Sequence, residues 1–139
     1  MVTGQIITGQ CLCGGIRFTI DGELAPIEVC YCKQCQRAQG TAMATNVPVA
    51  VTVFHLLQGE ELIQSYESSP GKQRCFCGRC GSPVYSKRET LPGVLRIRVG
   101  LLEGDYAANL AAHFHTRSKP TWWVIRDDLP QYAAGEVTK

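Results

Sequence analysis

The sequence predicts an all-β fold, and three observations carry that prediction. Short runs rich in Val, Ile, Thr, Phe and Tyr recur along the chain, turn signals separate them, and no low-complexity segment or linker breaks the rhythm. The turn signals are Asp21-Gly22, Pro70-Gly71, Pro92-Gly93 and Gly104-Asp105. A length of 139 residues suits one domain, expected over 1–139, with enough chain to bury a real core.

Taken in order, the expected strands are IRFTI at 16 to 20, IEVCYC at 27 to 32, VAVTVF at 49 to 54 and LIQSYE at 62 to 67. QRCFC at 73 to 77, a strand through PVYS, VLRIRVG at 94 to 100 and TWWVI at 121 to 125 follow. In VLRIRVG the alternation sets Arg96 and Arg98 on the face opposite Leu95, Ile97 and Val99, and a solvated face is expected for the two arginines ahead of a role in binding a substrate carboxylate. Trp122 and Trp123 are adjacent, so a strand there would point one inward, into the core, and the other outward. Helix is expected only briefly, after Cys35 through QRAQG or in the Ala-rich DYAANLAA at 105 to 112.

Composition excludes some function classes. Fourteen Lys and Arg against twelve Asp and Glu leave a formal charge of +2, and the basic residues are scattered, which argues against a nucleic-acid partner. The longest apolar stretch, VPVAVTVFHLL at 47 to 57, is interrupted by Pro48 and His55 and falls short of the roughly 20 residues of a membrane span. The start, MVTGQIITGQ, has no basic segment, apolar core or cleavage site of a signal peptide, so a cytoplasmic protein is expected.

Eight cysteines are then the strongest chemical signal. The cytosol keeps thiols reduced, which favours metal ligands or catalytic thiols over disulfides. Cysteines one residue apart, as in Cys11/Cys13, Cys30/Cys32 and Cys75/Cys77, are poor disulfide partners within each pair, yet on an extended strand both can face one ion. Zinc takes four soft ligands when structural, and three with an open position when catalytic. Eight thiols can therefore make two closed sites, or one closed site, one open three-Cys site and a spare.

The knuckles Cys11-Leu-Cys13-Gly-Gly and Cys77-Gly-Arg-Cys80-Gly read as halves of a closed site, with Gly14, Gly78 and Gly81 letting the backbone turn around a metal. Cys30, Cys32 and Cys35, in CYCKQC, then form a compact second site. Cys75 is left either as a spare buried thiol or as a fourth ligand closing that second site.

These motifs resemble the glutathione-dependent formaldehyde-activating enzyme (GFA) family, which includes centromere protein V-type proteins. The resemblance rests on Gly9, Cys11, Cys13 and Gly14; on Cys30, Cys32, Cys35 and Gly40; on Phe76, Cys77, Cys80 and Gly81; on Val99-Gly100; and on Pro120 and Trp122, and it spans about residues 8 to 132. It implies a mostly β "tent" of short antiparallel sheets organised around two zinc ions per chain. Cys11, Cys13, Cys77 and Cys80 would bind a structural zinc, and Cys30, Cys32 and Cys35 a catalytic one. The implied activity is a carbon–sulfur lyase reaction joining glutathione and formaldehyde as S-hydroxymethylglutathione. Two positions depart from the pattern: Tyr31 stands where relatives often carry His, and Cys75 where many carry His or Arg.

Three thiolates make zinc electron-rich, suited to lowering the pKa of a bound thiol or water rather than to polarising a carbonyl. The expected reaction is attack of a thiol such as glutathione on a small aldehyde, with Cys32 the labile ligand and catalytic residue. His113 and His115, expected on one strand face, are candidates for zinc ligand or proton shuttle, with His115 ahead. Arg37, Arg117 and Lys119 are weighed as carboxylate clamps against ordinary surface charge, and His55 is assigned no role. The alternative function is a non-catalytic, zinc-stabilised binding module.

Overall fold

The computed structural model describes residues 5–135. They form mostly strands, arranged in two sheets. The first has the order β10-β1-β2-β5 and is antiparallel throughout, built from β1 (Ile6–Gln10), β2 (Arg17–Asp21), β5 (Phe54–Gln58) and β10 (Leu102–Glu103). The second has the order β12-β11-β3-β4-β9-β8-β7-β6. Its strands are β3 (Ile27–Cys30), β4 (Ala44–Ala50), β6 (Ile63–Ser69), β7 (Lys72–Cys77), β8 (Pro83–Arg88), β9 (Val94–Arg98), β11 (Leu110–Phe114) and β12 (Gln131–Tyr132). β11 runs parallel to both β3 and β12, and the other pairings are antiparallel.

Strand alternation decides which side chains meet. In the β1–β2 hairpin Ile7, Phe18 and Ile20 are buried while Ile6 and Arg17 face out. Gly9 lies opposite Phe18 in that register, and a Cβ there would sit 2.4 Å from the ring's Cζ, so the strand needs glycine for space. In the second sheet the pairs Val47↔Ile97 and Val49↔Leu95 turn one face into core, which merges with Ile7, Phe18 and Ile20 between the sheets. Phe54 of β5 bridges the two, 5.2 Å from Phe18 and edge-on to Tyr85 of β8 at 5.9 Å. The opposite face of the second sheet carries Glu28, Asn46 and Arg98 in one cross-strand row and Arg74, Ser86 and Arg96 in the next.

Several expectations change in the folded chain. VAVTVF is not one strand: β4 ends at Ala50, a 3-10 turn covers Val51–Val53, and β5 starts at Phe54, because here the chain crosses from the second sheet to the first. Of the two helical possibilities only the first forms, as α1 (Lys33–Gln39), closed at Gly40 with φ +71. DYAANLAA has no helix, and its end becomes β11, since pairing with β3 satisfies backbone groups that weak Ala propensity cannot outweigh. TWWVI is not a strand; Trp122 is 70% and Trp123 39% exposed, so neither is core. That segment follows Pro120, whose carbonyl takes hydrogen bonds from the Trp123 N–H at 3.1 Å and from Lys119 Nζ at 3.3 Å, a local turn in place of a ladder. Arg98 is not solvated but 3% exposed, and Arg96 pairs with Glu28 at 2.7 Å. No helix among the described residues is long and apolar enough to cross a membrane.

Phe18 is fully buried at the junction of the sheets, so Phe18→Ala is expected to lower unfolding free energy by about 3–5 kcal/mol in urea titrations. A loss under about 1 kcal/mol would place the core elsewhere.

Candidate metal centres

The chain returns on itself twice around sulfur. After β1 the first knuckle is tied by Gly14 N–H to Cys11 O at 3.0 Å and by Cys11 N–H to Ile16 O at 3.1 Å. After β7 the second is tied by Gly81 N–H to Cys77 O at 2.8 Å and by Cys77 N–H to Ser82 O at 2.9 Å. Gly14 and Gly81 adopt φ of +76 and +81, the left-handed turn expected of them. Gly78 has a different reason, since a Cβ there would meet the Gln64 amide at 2.6 Å.

These turns gather Cys11, Cys13, Cys77 and Cys80, whose sulfurs all lie within 4.8 Å of one another. Cys11 and Cys13 are 3.6 Å apart and Cys13 and Cys77 3.9 Å, while every cysteine is a free thiol. A zinc tetrahedron with Zn–S of about 2.3 Å has edges of about 3.8 Å, close to these two separations, so the four thiols suit that ion. Backbone N–H groups already point at the sulfurs, from Ile16 to Cys11 at 3.3 Å, Gly15 to Cys13 at 3.4 Å and Cys80 to Cys77 at 3.4 Å. The Gly15 amide and then the Arg79 guanidinium, 3.3 Å away, hold the Cys13 thiol below its ordinary range. Ser82 Oγ accepts the Leu12 N–H at 2.8 Å and lies 3.4 Å from the Cys80 sulfur, and its hydrogen bond with that sulfur brings the Cys80 thiol down to about 5. Burial pushes Cys77 up.

The second cluster sits where β3 gives way to α1. Cys30 closes the strand and Cys35 lies in the first turn of the helix. Between them Cys32 is the helix N-cap, its sulfur accepting the Cys35 N–H at 3.3 Å. The three sulfurs again lie within 4.8 Å, and no further Cys, His, Asp or Glu among the described residues joins them. Hydrogen bonds from Cys30 and Cys32, with Arg74 Nη2 at 3.7 Å, hold Cys35 far below the usual thiol range, whereas its thiol neighbours push Cys30 up. Three thiols this close cannot all ionise against one another, so full ionisation needs a cation among them. Both clusters could hold a metal ion.

Cys30 and Cys35 line a cavity of about 370 Å³ on the polar face of the second sheet, with Lys72, Arg88, Arg98 and His115 around it. His115 is the one non-glycine residue with positive φ among those described, at φ 57, and burial lowers its pKa, so it is neutral at pH 7. His113 points the other way. It bridges Tyr31 Oη, 2.9 Å from Nδ1, and the Asp127 carboxylate, 3.0 Å from Nε2, beside a separate apolar cavity of about 720 Å³. The two histidines therefore do not share a strand face, because β11 ends at Phe114 before His115.

Cys75 also faces away from the triplet. Its partners in the sheet are Ser65 and Tyr85, and Tyr85 in turn pairs with Ile97 of the core face, whereas Arg74 beside Cys35 belongs to the other face. It is a spare buried thiol. Arg37 and Arg117 are exposed and Lys119 Nζ is spent on the carbonyls of Pro120 and Trp123, so none of the three lines the cavity. His55 pairs with Asp21 at 2.8 Å on the surface. Arg74, Lys72 and Ser82 were the residues sequence reasoning missed, and Arg98 was expected on a solvated face; strand period alone groups Lys72 with Arg74 and Arg96 with Arg98, but only the register unites the two sets.

The model of the glutathione-dependent formaldehyde-activating enzyme family matches residues 6–118. The chain belongs to that family. Both cysteine clusters of this GFA chain lie inside the matched span, and Pro120 and Trp122 lie beyond it. A crystal structure of a Rhodobacter sphaeroides protein is similar to it at 25% identity and TM-score 0.59, over 70% of this chain and 89% of that one. No curated protein matches the chain.

Two outcomes follow for metal content measured by atomic absorption. Cys75→Ala is expected to leave it unchanged, because that thiol faces the core; a loss of one ion would make Cys75 a ligand. Protons compete with a metal ion for the four thiolates, so the four-sulfur cluster is expected to retain metal at neutral pH and to release it, with uptake of protons, on strong acidification.

Proposed function

We propose that the chain is a zinc-dependent enzyme of the carbon–sulfur lyase type, a single domain over 1–139 working in the cytoplasm. It forms or cleaves an adduct between glutathione, or a similar small thiol, and a small aldehyde such as formaldehyde. Cys11, Cys13, Cys77 and Cys80 hold a structural zinc, and Cys30, Cys32 and Cys35 a catalytic one, two ions per chain. The observation that carries this reading is the inequality of the clusters: one offers four thiols between two knuckles, the other three thiols beside a polar cavity.

The donor sets suit zinc, whose soft-ligand sites are closed at four ligands and open at three. Bound to Cys30, Cys32 and Cys35, the ion would supply a lowered pKa to a thiol or water. The residues do the rest. The thiol's sulfur forms a bond to the aldehyde carbon, the carbonyl π pair moves to oxygen, and the thiol proton ends on that oxygen. His115, neutral and on the same cavity wall as Cys30 and Cys35, carries the proton. Cys32, the N-cap of α1, would be the labile ligand of that ion.

Purified protein is expected to carry two zinc ions, one removed readily by a mild chelator. NMR exchange measurements with glutathione and formaldehyde should show catalysed adduct formation, lost in Cys32→Ser and lowered about 100-fold in His115→Ala. Two equally tight ions, with no catalysis, would leave a zinc-stabilised binding module.

A further inference from the structure

The polar face of the second sheet holds more positive charge than its own neighbours neutralise. Arg96 is matched by Glu28 at 2.7 Å, and Arg74 faces the Cys35 sulfur at 3.7 Å. Lys72, Arg88 and Arg98, all on the wall of the cavity beside Cys30 and Cys35, have no carboxylate partner among the described residues. Lys72 and Arg88 are direct cross-strand partners, an arrangement of like charges that destabilises a sheet.

Arg98 is the decisive member. A charged strand face is ordinarily solvated, yet this side chain is 3% exposed. Nη1 is fixed by Asn46 Oδ1, by Ser86 Oγ at 3.4 Å and by the Arg96 carbonyl at 3.4 Å, while Nε is buried with no partner at all. Buried donors are almost always satisfied, and a cation taken from water needs an anion. Burial brings Lys72 down to about 8 and Arg98 to about 10, so both remain charged at neutral pH.

We infer that this cavity seats an acid group: the small molecule that reacts beside Cys30 and Cys35 carries a carboxylate or phosphate held by Arg98 and Lys72, with Arg88 at the rim. The inference rests on the proposed function and narrows its substrate class. A guanidinium whose fork is pre-set by Asn46 and Ser86 grips such a group with little loss of freedom. The volume, about 370 Å³, suits a small molecule. Formaldehyde has no acid group, so the acid belongs either to the thiol, as in glutathione, or to an acid-bearing aldehyde such as glyoxylate.

Four probes test this on the zinc-loaded full chain by calorimetric titration: glutathione, its diethyl ester, glyoxylate and acetaldehyde. The acid-bearing member of at least one pair is expected to bind about 10-fold or more tightly than its neutral counterpart. Whichever pair responds names the source of the acid. Lys72→Met, Arg88→Met and Arg98→Met should each erase much of that preference without weakening the neutral probe, and Lys72→Arg should restore it. Should Arg98→Met fail to fold, the Lys72 and Arg88 variants still decide. Equal binding of acid and neutral probes, or a preference untouched by the Lys72 and Arg88 variants, overturns the inference. NMR with the same pairs separates the two readings: tight acid binding without adduct formation sinks the enzyme and keeps the acid seat, whereas equal turnover of acid and ester does the reverse.

Discussion

The four-thiol cluster is the constraint on which the rest of the arrangement turns. It joins the loop between β1 and β2, at one end of the first sheet, to the loop between β7 and β8 in the second. Two sheets packed through apolar side chains are thereby pinned at one point by side chains 64 residues apart in sequence. Amides and Arg79 already face the sulfurs, so a bound cation would complete a cage rather than build one, and its binding free energy would be part of the folding free energy.

From that pin outward, strand alternation divides the second sheet into two environments. Val47, Val49, Leu95 and Ile97 face the core with Cys75 buried on the same side, while Arg96, Arg98 and Asn46 face the cavity beside the three-thiol cluster and Arg74 meets Cys35 itself. One residue of register separates an apolar interior from a cationic one. Such a face is expensive to maintain without a ligand, as the partnerless Nε of Arg98 indicates.

α1 completes the site from a short stretch of chain. Cys32 ends the extended run, caps the helix with its sulfur, and places Cys35 one turn on, so three thiols converge within six residues of sequence. The same turn sends Tyr31 to the other face, where its hydroxyl meets His113 and, through it, Asp127, fastening a segment without strands to the sheet. Tyr31 thus departs from the family pattern in a position that serves packing and hydrogen bonding here.

The cysteine spacing by itself paired the Cys11/Cys13 and Cys77/Cys80 knuckles and set the Cys30, Cys32 and Cys35 triplet apart, leaving Cys75 open between spare thiol and fourth ligand, because a metal tetrahedron restricts which knuckles can share an ion; the alternation of hydrophobic runs declared the strands. The local turns were legible for the same reason: Gly40, Gly14 and Gly81 occupy left-handed positions that neighbouring residues signal. Pairing was not legible. That Arg98 is buried, that Cys75 faces the core, that VAVTVF breaks between sheets and that DYAANLAA ends in a strand all depend on which distant strand lies alongside. Long-range register, set by burial across the whole sheet, is a property of the assembled chain that no local window contains.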